Sequence, residues 1–286
     1  MDLFMRGGGP KVGSAASLDF MEEGISMSDL LMFVMLPFVK PEIRYAYFLK
    51  AFGRTEEKMA IFSFGACNYN CPYCKRDGQF KCGGQILRAQ EYAWETIKGF
   101  IDEAVGSGKR VRLSGGDPCM FPEKALWIAK YVWETYGEKI SIAHNGSSPE
   151  LVDKLMPYLE YAAIDMKGAT DESLARRAGL TLRAGRVERT LDVIRMLAGN
   201  GILVDVRTCV FGDTTLEELI SIRKMLLDVA QGDNIFWTLR KYNEIASCDF
   251  APGDAELIKK YAENLATPRL RVGFRDKWTG ATFSIF

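Results

Sequence analysis

The chain has 286 residues, 48% hydrophobic and 26% charged, an ordinary globular composition for one large domain or two small ones. Its 37 Lys and Arg cancel its 37 Asp and Glu, so no bulk positive field is available to neutralise phosphates, which argues against a nucleic-acid partner. Seven Cys beside a single His exclude enzymes that grip a metal through several imidazoles, and an odd, sparse set of thiols excludes a disulfide scaffold, so a reducing, cytoplasmic location is expected.

Residues 1–17, MDLFMRGGGPKVGSAAS, read as a flexible Gly/Ser-rich tail without the pattern of a secretion signal. The longest apolar run, Leu30 to Val39, is ten residues with Pro37 near its end. A bilayer span needs roughly 20, so no membrane span is expected. The run is read as a helix packed on the main domain, with a surface-bound amphipathic segment over 27–50 as the alternative. The extension, residues 1–57, is thus a tail followed by a helix, able to cover the mouth of the main domain or dock a partner.

From residue 58 onward, short β-branched or apolar runs alternate with longer stretches of helical period, the mark of a parallel α/β fold. Strands are predicted at Met59–Phe64, Arg110–Leu113, Lys139–Ala143, Tyr161–Asp165, Ile202–Val210 and Asn234–Leu239. Helices are predicted near 88–106, 121–136, 148–158, 185–199 and 214–230. This domain runs over 58–245. The C-terminal segment, 246–286, holds a helix near 253–265 and a seventh strand at Arg269–Phe274. Right-handed crossovers open such strands into a doubly wound sheet or curl them into a barrel, and periodicity does not choose. Either way, chemistry belongs at the carboxyl ends of the strands.

After the first of these strands comes Cys67-Asn-Tyr-Asn-Cys71-Pro-Tyr-Cys74. Three thiolates within eight residues can converge on one cluster and leave a corner without a protein ligand. A structural zinc site would want a fourth Cys or His close by, and the nearest is Cys82. The CxxxCxxC spacing, with aromatic Tyr73 before the third Cys, resembles the radical S-adenosylmethionine (SAM) superfamily. That resemblance implies a partial (β/α)6 TIM-type barrel in which Cys67, Cys71 and Cys74 hold three irons of a [4Fe-4S] cluster. It implies SAM on the fourth iron, a flavodoxin- or ferredoxin-type electron donor, and anaerobic chemistry. Cleavage of SAM then yields methionine and a 5′-deoxyadenosyl radical that abstracts hydrogen from a substrate.

The other strand ends carry further candidates. In Leu113-Ser-Gly-Gly-Asp-Pro118, Gly115 and Gly116 let backbone approach a ligand and Asp117 can accept from an ammonium group; the alternative is a tight βα turn. The motif resembles the family's Gly-Gly-acid-Pro, which contacts the SAM amino group. His144, the only histidine, precedes Asn145-Gly146, similar to the family's Thr-Asn-Gly. His144 and Asn145 are expected to hydrogen-bond SAM or substrate, or His144 is a local fixture.

Asp165 and Lys167, two apart, share a face while the chain stays extended. The pair resembles the D-x-K of the glycyl-radical activating branch, such as the activase of pyruvate formate-lyase, where both line the SAM pocket; a solvated salt bridge is the alternative. That branch binds a monovalent cation through an Asp where Ala143 stands here. Arg207, pointing into a barrel, must meet an anion, either the SAM carboxylate or Asp205. Trp237 to Tyr242 bring aromatics and cations to the mouth for substrate or for packing. Of Cys82, Cys119, Cys209 and Cys248, none lies within CxxC spacing of another, and Cys119 is expected nearest the active site.

Two departures from the activases stand out: Lys75 follows the third Cys where His is frequent, and their His-containing motif near the sixth strand is missing. The expected function is a radical SAM enzyme acting on a glycyl-radical partner protein, or on a peptide, small metabolite or RNA base. The alternative of a different class is a non-catalytic Fe-S or zinc-binding protein.

Overall fold

Each alternation of β-branched and helical-period residues beyond position 58 becomes a strand followed by a helix. The computed structural model describes residues 32–35, 44–74, 89–242, 248–276 and 283–286; the Gly/Ser tail, Lys75 and Cys82 lie outside these. The strands are β1 (Met32–Met35), β2 (Arg44–Tyr45), β3 (Lys58–Phe64), β4 (Gln90–Ala93), β5 (Arg110–Gly115) and β6 (Ile140–His144), then β7 (Leu159–Asp165), β8 (Leu203–Val210), β9 (Ile235–Lys241), β10 (Arg271–Arg275) and β11 (Phe283–Ile285). The helices are α1 (Trp94–Gly106), α2 (Pro122–Tyr136), α3 (Pro149–Leu155), α4 (Asp171–Ala178), α5 (Arg186–Gly199), α6 (Leu216–Val229) and α7 (Ala255–Leu265).

Strands β3, β5, β6, β7, β8, β9 and β10 pair in that order, all parallel. This is the α/β architecture expected of a partial barrel, with the seventh strand realised as β10. The order is open: among the described residues no pairing joins its two edges. Helix α4 was not foreseen. It is eight residues long, with paired arginines and a weak apolar stripe, and its sequence signal is the capping box between Thr170 and Ser173.

The helix expected over the apolar run of the extension is corrected. Met32–Met35 is strand β1, antiparallel to β3 and β4, and the described helical part of the extension is the single 3-10 helix Tyr47–Phe52. An apolar run closed by Pro37 is too short for a stable helix, whereas the outer edge of β3 offers unpaired backbone groups. The same pairing makes Gln90–Ala93, read as the start of a helix, into β4.

Register fixes the two faces of the sheet. Leu113, Ile142, Ala162, Val204 and Ile235 are partners strand to strand, and all lie in one core cluster with apolar residues of the helices, such as Ile97, Ile128 and Leu226. The other face alternates in character along its length. At the amino ends, Met59, Tyr161 and Phe236 are buried under Phe48 and Leu49 of the 3-10 helix, with the Phe48 and Tyr161 rings 5.5 Å apart. Arg54 and Arg110 each pair with both Glu57 and Glu160, tying the following loop to the same end. Residues 47–52 therefore close the floor, opposite the mouth that the extension was free to cover. Toward the carboxyl ends, Ile61, Ser63, Ser114, Ala143, Asp165, Arg207, Cys209 and Arg240 become half-exposed while their strand neighbours stay buried. The open face is thus accessible where parallel α/β folds place their chemistry.

One buried ion pair supports this end of the sheet. Arg177, 3% exposed, donates from Nη1 and Nη2 to the two carboxylate oxygens of Glu218 at 2.8 and 2.7 Å, and from Nη1 to the carbonyl of Lys167 at 3.0 Å. Removing one partner of such a pair leaves the other desolvated and alone. Arg177→Met is expected to destabilise the fold by about 3 kcal/mol or more, read as a lower urea midpoint. An unchanged midpoint would show that the pair contributes nothing.

Candidate active site at the carboxyl ends of the strands

The cysteine loop leaves β3 and is seated on two sides by backbone. On one side lie Gly115 and Gly116: a Cβ at Gly115 would stand 2.1 Å from the Phe64 nitrogen, and one at Gly116 would stand 1.9 Å from the Ala66 carbonyl oxygen. Gly116 N–H donates to Phe64 O at 2.8 Å and Asp117 N–H to Ala66 O at 2.7 Å. The backbone that this glycine pair admits is the chain's own. On the other side, Gly179, in the left-handed region at φ +63°, leaves no room for a Cβ, which would meet Asn70 O at 1.9 Å. Asn70 N–H donates to Ala178 O at 2.9 Å, so the end of α4 clamps the loop between Cys67 and Cys71.

The loop carries three cysteines outside any disulfide, Cys67 buried, Cys71 and Cys74 half-buried. Burial, with Asp117 nearby, pushes the Cys67 thiol well up; burial pushes Cys71 up to about 11, with the Lys167 ammonium working against it. Without a metal these groups stay protonated, so metal binding must displace protons. The only three His, Cys, Asp or Glu groups gathered within 4.8 Å among the described residues are Asp117, Cys119 and His144. Three thiols on one loop are the donor type that iron-sulfur clusters use.

The Asp117, Cys119 and His144 group is committed to hydrogen bonding. Asp117, 2% exposed, accepts at Oδ1 from Cys119 N–H at 2.9 Å and from His144 Nδ1 at 2.7 Å, and at Oδ2 from Asn145 N–H at 2.8 Å. Burial would raise its pKa, yet His144 and the backbone donors hold it below the carboxylate range. Ser148 N–H donates to His144 Nε2 at 3.0 Å, so that nitrogen is an acceptor and the ring proton sits on Nδ1. His144 faces the helices, its side chain fully buried and both nitrogens used inside the protein. It is the local fixture rather than a group presented to the open face. The sulfur of Cys119 lies 3.7 Å from Ser147 Oγ.

Asn145 continues β6 and reaches the cysteine loop. Its amide Nδ2 donates to Asn68 Oδ1 at 2.7 Å and to Cys67 Sγ at 3.8 Å. Asn68, which sequence reasoning passed over, donates in turn to Ser147 Oγ at 2.8 Å. Gly146, at φ +80°, lies where a Cβ would stand 2.6 Å from Thr190 of α5.

Further round the sheet the open face is charged. Asp165 pairs in register with Arg207, Arg207 with Thr238, and Cys209 with Arg240. Arg207 Nε donates to Asp205 at 2.6 Å, realising the protein-anion alternative, and Thr238 Oγ1 donates to the same carboxylate. Lys167, 7% exposed, donates to Asp165 at 3.0 Å and to Tyr73 Oη at 3.3 Å, with its ammonium 5.5 Å from the Tyr73 ring centre. Tyr73 packs against Phe211, Tyr242 and Phe250 at 4.8 to 6.3 Å between ring centres. Trp237 is corrected: it faces the helices, fully buried, and donates to Thr208 Oγ1 at 3.0 Å, while its neighbours Thr238 and Arg240 face the opening. Asp205 was foreseen as one of two partners for Arg207 and Arg240 lay in the run assigned to the mouth, whereas Thr238 was not singled out, though the period-two pleat of β9 was the signal that could have found it. Opposite these charges stand Ser63, Ser114, Ala143 and Ala163, paired in register as Ser63 with Ser114 and Ala143 with Ala163. All four have small side chains, and Ser63, Ser114 and Ala143 are half-exposed.

A family model described as the radical SAM superfamily matches residues 61–226. The 7-carboxy-7-deazaguanine synthase of Methanothermobacter thermautotrophicus is 25% identical over 171 residues, covering 58% of this chain and 66% of that protein. A probable GTP 3′,8-cyclase of Pyrobaculum aerophilum is 26% identical over 95 residues, 33% of this chain and 29% of that one. The chain thus spans less than two thirds of these curated relatives. Similar folds occur in a radical SAM methyltransferase from Sphaerobacter thermophilus, with TM-score 0.58, 14% identity, and coverage of 77% of this chain and 66% of that one. They occur too in Streptococcus suis SuiB bound to S-adenosylmethionine, with TM-score 0.54, 14% identity, and coverage of 76% and 48%.

Asp165 offers a pH test of the charged row. Burial would raise its pKa, but the cations of Lys167 and Arg240 hold it down to about 2, below the ordinary 3.8. A carboxylate depressed on folding contributes stability that is fully present above its unfolded pKa and is lost as pH falls through the folded value. The urea midpoints of the wild type and Asp165→Asn are therefore expected to differ near neutral pH and to converge as pH drops from about 4 toward 2. A gap independent of pH would reject this electrostatic account.

Proposed function

The chain belongs to the radical SAM superfamily, and on that premise we propose that Cys67, Cys71 and Cys74 hold three irons of a [4Fe-4S] cluster at the carboxyl end of β3. The supporting observation is the two-sided backbone seating of their loop, which carries three cysteines beside a half-exposed face of small and charged residues. When bound, the cluster supplies the electron that cleaves SAM to methionine and a 5′-deoxyadenosyl radical, which takes a hydrogen from the substrate.

This chain's residues do the placing. Asp117, its oxygens already accepting three hydrogen bonds, holds the strand-end loops in register rather than taking the SAM ammonium itself. Lys167 and Arg207 offer positive charge to a carboxylate; Asp205 occupies Arg207 Nε, and its terminal nitrogens have no protein partner among the described residues. Tyr73, Phe211 and Tyr242 give the same end an apolar aromatic wall that excludes water. An electron donor of flavodoxin or ferredoxin type and a reducing, cytoplasmic setting complete this reading.

The substrate class we propose is a small, polar, anionic molecule. Lys167, Arg207 and Arg240 bring three cationic side chains to the mouth, pairing among the described residues with Asp165 and Asp205. The curated relatives are named for a carboxy-deazaguanine product and for the cyclisation of GTP, in line with this class. A second reading, activation of a glycyl-radical partner, draws on the Asp165 to Lys167 pair, which is formed and adjoins Tyr73.

Reconstitution with iron and sulfide under anaerobic conditions, followed by SAM and dithionite, should yield 5′-deoxyadenosine. Cys71→Ala should abolish both the cluster absorbance and the product. A fully loaded, reducible cluster that gives no 5′-deoxyadenosine sinks the reading. A stable organic radical on an added glycyl-radical enzyme would favour the activase form over the small-molecule one.

A further inference from the structure

The sulfur of Cys67 has two N–H donors directed at it. Tyr69 N–H lies 3.4 Å from it, and the side-chain amide of Asn145 lies 3.8 Å from it, reaching across from a different strand end. The amide is held from all sides. Asn145 Oδ1 accepts from Ser147 N–H at 3.0 Å, its Nδ2 is shared with Asn68, and its backbone N–H is bound to Asp117 Oδ2. The other oxygen of Asp117 takes the Nδ1 proton of His144, whose Nε2 is fixed by Ser148 N–H. Asn145 is 6% exposed and His144 3%, so this chain of bonds is shielded from competing water.

An N–H donor aimed at a cluster thiolate stabilises the extra negative charge of the reduced state and raises the reduction potential. Partners behind the donor fix its direction. We propose that Asn145 tunes the reduction potential of the cluster through its hydrogen bond to Cys67, and that the His144 to Asp117 pair is the positioning device that keeps the amide there. This rests on the reading that Cys67, Cys71 and Cys74 hold the cluster. It assigns the chain's only histidine to positioning, in place of contact with SAM or substrate.

The test is an EPR-monitored redox titration of the reconstituted protein without SAM, with iron and sulfide content measured on every sample. Asn145→Leu, of similar size but without a donor, is expected to shift the midpoint potential to a more negative value. His144→Leu should shift it in the same direction by less, and His144→Asn, which restores a donor to Asp117, should return it toward wild type. The double variant Asn145→Leu/His144→Leu should move no further than Asn145→Leu alone, because both act through one bond. An unshifted potential in Asn145→Leu with a full cluster overturns the proposal, as does a weakened SAM affinity with the potential intact. Should Asn145→Leu load no cluster, the His144 variants decide: equal potentials in His144→Leu and wild type overturn it. A wild type that takes up no cluster refutes the underlying reading instead.

Discussion

The close approach of two backbones, Phe64 to Cys67 against Gly115 to Asp117, is the constraint on which the site depends. Neither glycine has room for a Cβ, and the two main-chain hydrogen bonds across the contact fix the loop before any side chain is considered. The three cysteines inherit their direction from it. A loop of this length would otherwise sample many conformations at a cost of roughly 1–2 kcal/mol per residue ordered, so anchoring both of its flanks with backbone is an economical way to pre-organise thiols. Gly179 and Ala178 repeat the device on the far side, which gives the short, unforeseen helix α4 a role in the site.

From that seat the hydrogen bonds run outward through Asp117. A carboxylate buried this deeply is tolerable only if its charge is fully met, and it is met by two backbone N–H groups and the imidazole. The result ties the ends of β5 and β6 to each other, and Asn145 then ties them to the cysteine loop. The charged row on β7 to β9 follows the same rule. Asp165, Lys167, Arg207, Asp205 and Arg240 stand on a face half open to solvent, each held by an opposite charge. The face is polar, and its charges are compensated by one another.

The two ends of this face differ because different parts of the chain reach them. Aromatic residues of the 3-10 helix close the amino ends, while the small residues Ser63, Ser114 and Ala143 are half-exposed toward the carboxyl ends. The parallel strands were readable because both their faces are flanked, one by helices and one by the interior, so their sequences are strongly biased. The N-terminal segment misled for the opposite reason. Met32–Met35 is a strand only because β3 and Gln90–Ala93 offer it partners distant in sequence, and local apolar character cannot report a pairing of that kind.

The sequence by itself determined the parallel α/β order, the family, and the short list of strand-end residues, because periodicity and the spacing of Cys67, Cys71 and Cys74 are local properties of the chain. It could not say what each listed residue touches. That the glycine pair makes room for the chain's own backbone, that His144 turns toward the helices, and that Arg207 meets Asp205 were decided by register and close packing. Each depends on which atoms of distant segments come within a few ångströms, and a one-residue change of register would have sent every one of those side chains to the other face.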